Sequence, residues 1–172
     1  MRIAYADPPY IGQARKHYGN EPTYAGEVDH RELITRLDRD YDGWALSLSA
    51  PSLFDIVPLV NQVCETRPRV GAWVKPWASW KPGVNPAYAW EPVIFKPARQ
   101  LGRGVPTCRD WVSANVTLKR GLSGIKPDAF CFWLFTVLGM QAGDDFDDLY
   151  PGSSAVTRAW QTWQGQFAAV LF

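Results

Sequence analysis

Cysteine is scarce in this sequence. Cys64, Cys108 and Cys131 are odd in number and far apart, which excludes a disulfide framework and reads as reduced, mostly buried thiols in a cytosolic protein. Histidine is scarcer: His17 and His30 stand at no ligand spacing from a second donor, so no metal site is expected. Long apolar runs are missing too. The longest near-apolar stretch, Ala129 to Met140, is too short to span a bilayer, and the N-terminus has no apolar core of a secretory signal. A large charge of either sign is absent, the net being +1, so no global field advertises a nucleic-acid partner. There is no internal repeat, no low-complexity tract, no glycine-rich phosphate loop and no local Ser-His-Asp signature.

What is present is the composition of one folded domain spanning residues 1–172, with 47% hydrophobic residues against 20% charged ones. Nine Trp, seven Tyr and eight Phe are a heavy aromatic load, and aromatics beyond the needs of a core serve stacking. Arg2 to Ala6 reads as a short strand that stops at Asp7 and Pro8. Glu27 to Leu37 carries Val28, Leu33, Ile34 and Leu37 at helical spacing. Trp44 to Leu48 reads as a second strand. Ser52 to Val63 reads as a helix against the objection of Pro58, and Val70 to Val74 and Pro92 to Phe95 as two further strands. Between them, Lys75 to Trp90 is an aromatic-rich loop, and Ala98 to Thr107 is irregular. Pro127 opens a helix through Leu138, Phe146 to Tyr150 is a strand, Pro151 to Ser154 a turn, Ala155 to Trp163 a helix, and Phe167 to Phe172 a last strand. Strands alternating with helices predict an α/β domain with a mainly parallel sheet, whose ligands bind beyond the carboxyl ends of the strands.

Two loops fall at such ends. Asp7, Pro8, Pro9 and Tyr10 follow the first strand, a tetrapeptide that chance would place in a chain of this length roughly one time in a thousand. The bland reading is a proline-rich turn capped by its aspartate. The chemical reading is an acceptor pair: a carboxylate and a proline-fixed carbonyl grip the two hydrogens of an exocyclic amine, while Tyr10 offers a face to the ring that bears it. The second loop runs from Asp148 through Leu149, Tyr150, Pro151, Gly152, Ser153 and Ser154 into a helix. A glycine there admits close backbone approach, and the helix start presents free N–H donors to a carboxylate.

Asp7-Pro8-Pro9-Tyr10 resembles the catalytic motif of the DNA amino-methyltransferases, which methylate adenine N6 or cytosine N4 with S-adenosylmethionine. Lys126-Pro127, then a helix, then the loop Asp148 to Ser154 is similar to that family's cofactor motif, in the order of its circularly permuted class. Glu91 to Phe95, after Trp90, looks like the strand between the two. The whole pattern, Ile3 to Trp163, is closest to small phage-type DNA methylases. The resemblance implies a Rossmann-like, S-adenosylmethionine-dependent methyltransferase fold with helices on both faces and a shortened C-terminus. It implies catalysis by Asp7, Pro8, Pro9 and Tyr10, and cofactor binding by Asp7, Lys126, Pro127, Asp148, Leu149, Tyr150, Pro151, Gly152, Ser153 and Ser154. It also implies a cytoplasmic location in a bacterial or phage-infected cell, with no membrane partner.

Two departures stand out. Ser154 occupies the position of a second family glycine, and Phe167 to Phe172 contains no acid for the cofactor ribose. The acidic neighbours Asp144, Asp145 and Asp147 read either as a solvated turn or as a weak attraction for a sulfonium cation. No long target-recognition domain is present. Lys96 to Lys126 holds seven bases (Lys96, Arg99, Arg103, Arg109, Lys119, Arg120, Lys126) against Asp110, a local charge of +6, while Pro127 to Phe172 carries −4. That polarity suits phosphate binding or an ordinary solvated face. Lys75, Trp77, Trp80 and Lys81, with Tyr88 and Trp90, suit a splayed base or cover the sheet. The sequence thus leads to a methyltransferase acting on N6 of a flipped adenine in DNA. Cytosine N4 and RNA stay open as substrates. So do a catalytically weak nucleic-acid-binding module, and a homodimer or larger methylase in which a partner subunit supplies target recognition.

Overall fold

The computed structural model describes residues 1–12, 27–77, 82–100, 102, 107–117 and 125–169, the last five of these by backbone alone. Strand β1, Arg2–Ala6, lies inside a six-stranded sheet of order β5-β3-β4-β2-β1-β6. Its side chains alternate between two cores: Ile3 and Tyr5 face one, Ala4 and Ala6 the other, and none is more than 1% exposed. A strand buried on both faces is written as a continuous apolar run, as this one is. β2, Gly43–Ser47, is likewise fully buried and pairs parallel with β1, while β6, Asp145–Asp148, pairs parallel on its other side. Gly43 is obligatory, because a Cβ there would come within 2.5 Å of the Ala98 backbone nitrogen.

β4, Trp90–Lys96, runs antiparallel to β2 and to β3, Arg69–Val74, and β5, Trp111–Ser113, pairs parallel with β3. Five strands therefore point one way and β4 the other. The mainly parallel sheet is as expected, but β4 begins two residues earlier than its apolar pattern suggested and enters from the edge where the others end. β5 went unread in the sequence because three residues, two of them exposed and the third half-buried, carry no visible period.

Among the described residues four helices cover the sheet. On one face lie α1, His30–Asp40, and α2, Leu53–Val63; on the other, α3, Asp128–Val137, and α4, Ala155–Ala169. α1 starts later than its apolar periodicity implied because the Asp29 carboxylate caps it, accepting the Glu32 N–H at 3.0 Å. Leu33, Ile34 and Leu37 are its buried stripe. α2 runs through Pro58, which is exposed and whose missing donor would have bonded Phe54, in the solvated first turn. α3 buries Phe130, Cys131, Trp133, Leu134, Phe135 and Val137, and α4 adds Trp160 and Trp163, whose rings stack at 5.2 Å. Each fully buried side chain of this size contributes about 1.5–3 kcal/mol. The last strand expected over Phe167 to Phe172 is not formed in its described part: α4 continues through Ala169, with no turn signal to stop it. No described helix is long and apolar enough to cross a membrane.

Candidate active site

Every element that carries a motif arrives at one edge of the sheet. β1 delivers Asp7, β2 ends at Ser47, β3 is followed by Lys75, and β6 ends at Asp148. Reversal of β4 brings its second residue, Glu91, to the same edge, and Lys126 sits two residues before α3. Lys126 Nζ lies 3.1 Å from Asp7 Oδ2 and donates to Glu91 Oε2, also at 3.1 Å. Lys75 Nζ pairs with the other oxygen of Glu91. The result is an alternating row of charges, Lys75, Glu91, Lys126, Asp7, packed on aromatic faces: the Trp73 ring is 4.8 Å from the Lys75 nitrogen and 5.2 Å from that of Lys126. Beneath it the buried Tyr5 hydroxyl bonds Ser47 Oγ at 2.8 Å.

The Lys126 side chain is 5% exposed, whereas 24% of Asp7 remains open to a ligand. Burial raises the Asp7 pKa above its ordinary value; Lys126 opposes the rise and Glu91 adds to it. For Lys126 itself burial favours the neutral form, but Asp7, Tyr5 and Glu91 outweigh it and keep the ammonium charged. Glu91 shows the same contest with the opposite sign: burial raises its pKa, and Lys126 and Lys75 bring it net downward. Tyr10 is half-buried, and burial together with the charges of Glu91 and Asp7 pushes its phenol well upward, so it stays neutral. Pro8 is buried and Pro9 half-buried, which fixes the turn that carries Tyr10.

The second motif closes onto β1 through the Leu149 N–H, which donates to the Tyr5 carbonyl at 2.9 Å. Asp148 Oδ2 accepts from Thr157 Oγ1 of α4 at 2.9 Å, while its buried Oδ1 has no hydrogen-bond partner among the described residues. Burial raises the Asp148 pKa. Gly152 and Ser154 both adopt positive φ, +44° and +57°. Ser154 N–H bonds the Pro151 carbonyl, and Arg158 Nη1 donates to the Ser153 carbonyl at 2.7 Å, securing Tyr150 to Ser154 as a turn into α4. An open groove of about 570 Å³ follows the outer edge of β6, lined by Phe146, Asp148, Leu149, Thr157, Trp160 and Arg36. It reaches the second motif and not Asp7.

The acidic run has a structural role. Asp144 lies at the opposite end of β6, held by Arg99 and the N-terminal amine, and Asp147 takes Arg2 and the Tyr41 hydroxyl. The basic segment is also less open than its count suggested: Lys96 pairs with Asp38, Arg99 with Asp144, and Lys126 with Asp7 and Glu91. Arg109 is exposed, 5.2 Å from the Trp111 ring. On the rim, Trp77, Tyr88 and Trp90 are exposed by 57%, 60% and 40%, so they do not cover the sheet. Trp80, Lys81, Arg103, Lys119 and Arg120 lie outside the described residues. Sequence reasoning missed Glu91, Trp73 and the Tyr5–Ser47 pair. A lone acid at the entrance of an apolar strand was the available signal for Glu91.

No protein-family model matches this chain, and no curated protein matches it. Among solved structures, the crystal structure of the M1.HpyAVI–SAM complex matches with a TM-score of 0.65 at 14% identity, over 95% of this chain and 78% of that one. The motif loops described above thus stand on an α/β, Rossmann-like methyltransferase fold.

Proposed function

We propose that the chain is an S-adenosylmethionine-dependent methyltransferase that modifies the exocyclic N6 of an adenine flipped out of DNA. The observation that carries this reading is Asp7: a carboxylate 24% exposed at the end of a rigid, doubly buried strand, paired through Oδ2 and with no described hydrogen bond on its other oxygen. That oxygen and the Pro8 carbonyl are the two acceptors an amino group offers its hydrogens to. Accepting both draws the nitrogen lone pair out of conjugation, and a fixed acceptor pair lowers the barrier by orientation and electrostatics. Neutral Tyr10 supplies the stacking face, and the exposed Trp77, Tyr88 and Trp90 supply a rim for displaced bases.

The second motif suits the cofactor, which when bound supplies an electrophilic methyl group on a sulfonium. Asp148 Oδ1, buried and without a hydrogen-bond partner among the described residues, is an acceptor for its polar hydrogens, and Tyr150 to Ser154 lead into the N-terminus of α4, where backbone donors favour a carboxylate. M1.HpyAVI was crystallised with that molecule, which supports the assignment. Pro127 contributes by starting α3, and Lys126 by its position beside Asp7. A second reading, a catalytically weak nucleic-acid-binding module, is favoured by one observation, the strained Ser154. DNA is the expected partner.

The test is expression in a methylation-deficient host, with mass spectrometry of nucleosides from DNA and RNA, wild type beside Asp7→Asn. N6-methyladenine in DNA from the wild type alone is the expected result. N4-methylcytosine, or a modified base in RNA, would keep the mechanism and change the substrate. An unmodified pool would refute the enzyme reading in favour of the binding module.

A further inference from the structure

Resting on the reading of Asp7 as the amine acceptor, we infer that Lys126 and Glu91 are its positioning residues: Lys126 holds Asp7 ionised through one oxygen, and Glu91 restrains Lys126 from taking both. Three observations lead there. First, the Lys126 ammonium is almost fully withdrawn from solvent and stands at the same 3.1 Å from Asp7 Oδ2 and Glu91 Oε2, a shared cation and not a private partner. Second, Glu91 is itself balanced, because Lys75 occupies its remaining oxygen. Third, Asp7 ends the row. Among the described residues it pairs with one cation, and it keeps the larger exposure of the two carboxylates in that row, 24% against 15% for Glu91.

Chemistry explains why such a row is useful. A protonated carboxyl presents an O–H where the site needs a lone pair, so acceptor strength at Asp7 depends on keeping the group charged in a partly dry place. A single ammonium against one oxygen achieves that and leaves the other free. An unshared cation would settle between both oxygens and weaken each as an acceptor. Among the described residues, the charged and titratable groups facing Asp7 are Lys126 ahead of α3, Glu91 from β4, Lys75 after β3, and Asp148 at the end of β6, with Tyr5 and Tyr10 from β1 and its own loop. Among these only the two lysines carry positive charge, and Lys75 is spent on Glu91.

Opposite signs make this testable without relying on turnover. In the folded full chain, the side-chain carboxyl signal of Asp7, identified as the resonance lost in Asp7→Asn, is titrated by carbon-13 NMR. In Lys126→Met the Asp7 titration moves up by about 1–3 pH units, the loss of one adjacent cation. In Glu91→Gln it moves down, since a like charge is removed and Lys126 turns wholly to Asp7. Circular dichroism checks that each variant folds. Should Lys126→Met fail to fold with two carboxylates left together, the downward shift in Glu91→Gln still decides. An Asp7 titration unmoved in Glu91→Gln, or moved upward, overturns the inference.

Activity is a separate arm. The acid limb of kcat/KM for methyl transfer follows the NMR shifts, and any change in the affinity for S-adenosylmethionine in Lys126→Met accompanies the Asp7 shift and does not replace it. A fall in that affinity with no shift at Asp7 would make Lys126 a cofactor ligand and refute the positioning role. NMR shifts of the expected signs in a wild type that transfers no methyl group would uphold the coupling of the three residues and refute the enzyme reading alone.

Discussion

Replacing Asp144 with asparagine is expected to remove about 2 kcal/mol of stability at neutral pH and almost none in strong acid. The side chain is nearly inaccessible, 4% exposed. Burial by itself would raise its pKa, but it accepts from both terminal nitrogens of Arg99 at 2.6 Å, from the Gln141 N–H at 2.8 Å and from the N-terminal amine at 3.0 Å. Together these hold it at about 2, against an ordinary 3.8. A depression of nearly two units at about 1.4 kcal/mol each gives the expected loss. Because the folded-state value is the lower one, the contribution is complete above the unfolded-state value near 3.8 and disappears as pH falls toward 2. Urea unfolding of wild type and Asp144→Asn across that interval measures the gap directly. A gap that stays constant with pH would show that the carboxylate's charge is not what anchors β6, and the reasoning would fail.

Three further outcomes follow from the site. Ser154→Gly relieves a left-handed residue costing about 1–2 kcal/mol while adding about 0.4–1 kcal/mol of unfolded-chain freedom, so the unfolding free energy should rise by roughly 0.5–1 kcal/mol, read as a higher urea midpoint; a lower midpoint would refute the strain. Asp7→Asn should abolish methylation with the circular dichroism spectrum intact, and Asp7→Ala should melt below it, because alanine removes one of the two carboxylates on the buried Lys126 and leaves it Glu91 alone; equal melting would show that the ion pair is idle. Neutralising Lys119 and Arg120 together should weaken DNA binding and reduce its logarithmic salt slope by about 2, and an unchanged slope would remove them from the interface.

How much of this was legible in the chain depends on where information is local. β1, β2, α1 and α3 were readable because one or both faces are wholly buried, which writes a continuous apolar run into Ile3 to Ala6 and a period of 3.6 into Leu33 to Leu37. Ser154 was readable as a departure, and its positive φ is the strain that departure implies. The reversed direction of β4 was not, since an apolar run has no sign, and with it went the position of Glu91. Likewise, a count of lysines and arginines cannot tell that Lys96, Arg99 and Lys126 have carboxylates waiting across the fold. Pairing between residues that are far apart in the chain is a property of topology, and only the sheet order supplies it.

The antiparallel pairing of β3 with β4 has one more consequence. It makes the aromatic segment between them a hairpin excursion whose two feet stand side by side: Lys75 N–H bonds the Ala89 carbonyl at 2.8 Å, and the Lys75 side chain grips Glu91. With both feet tied, lengthening the segment costs only the entropy of closing a longer ring, about 0.6 kcal/mol for each doubling. The core beneath, from Trp73 to Phe95, is untouched by such a change. The rim beside Asp7 can therefore be redrawn at little cost, and on the proposed reading different target preferences can be written there on an unaltered sheet.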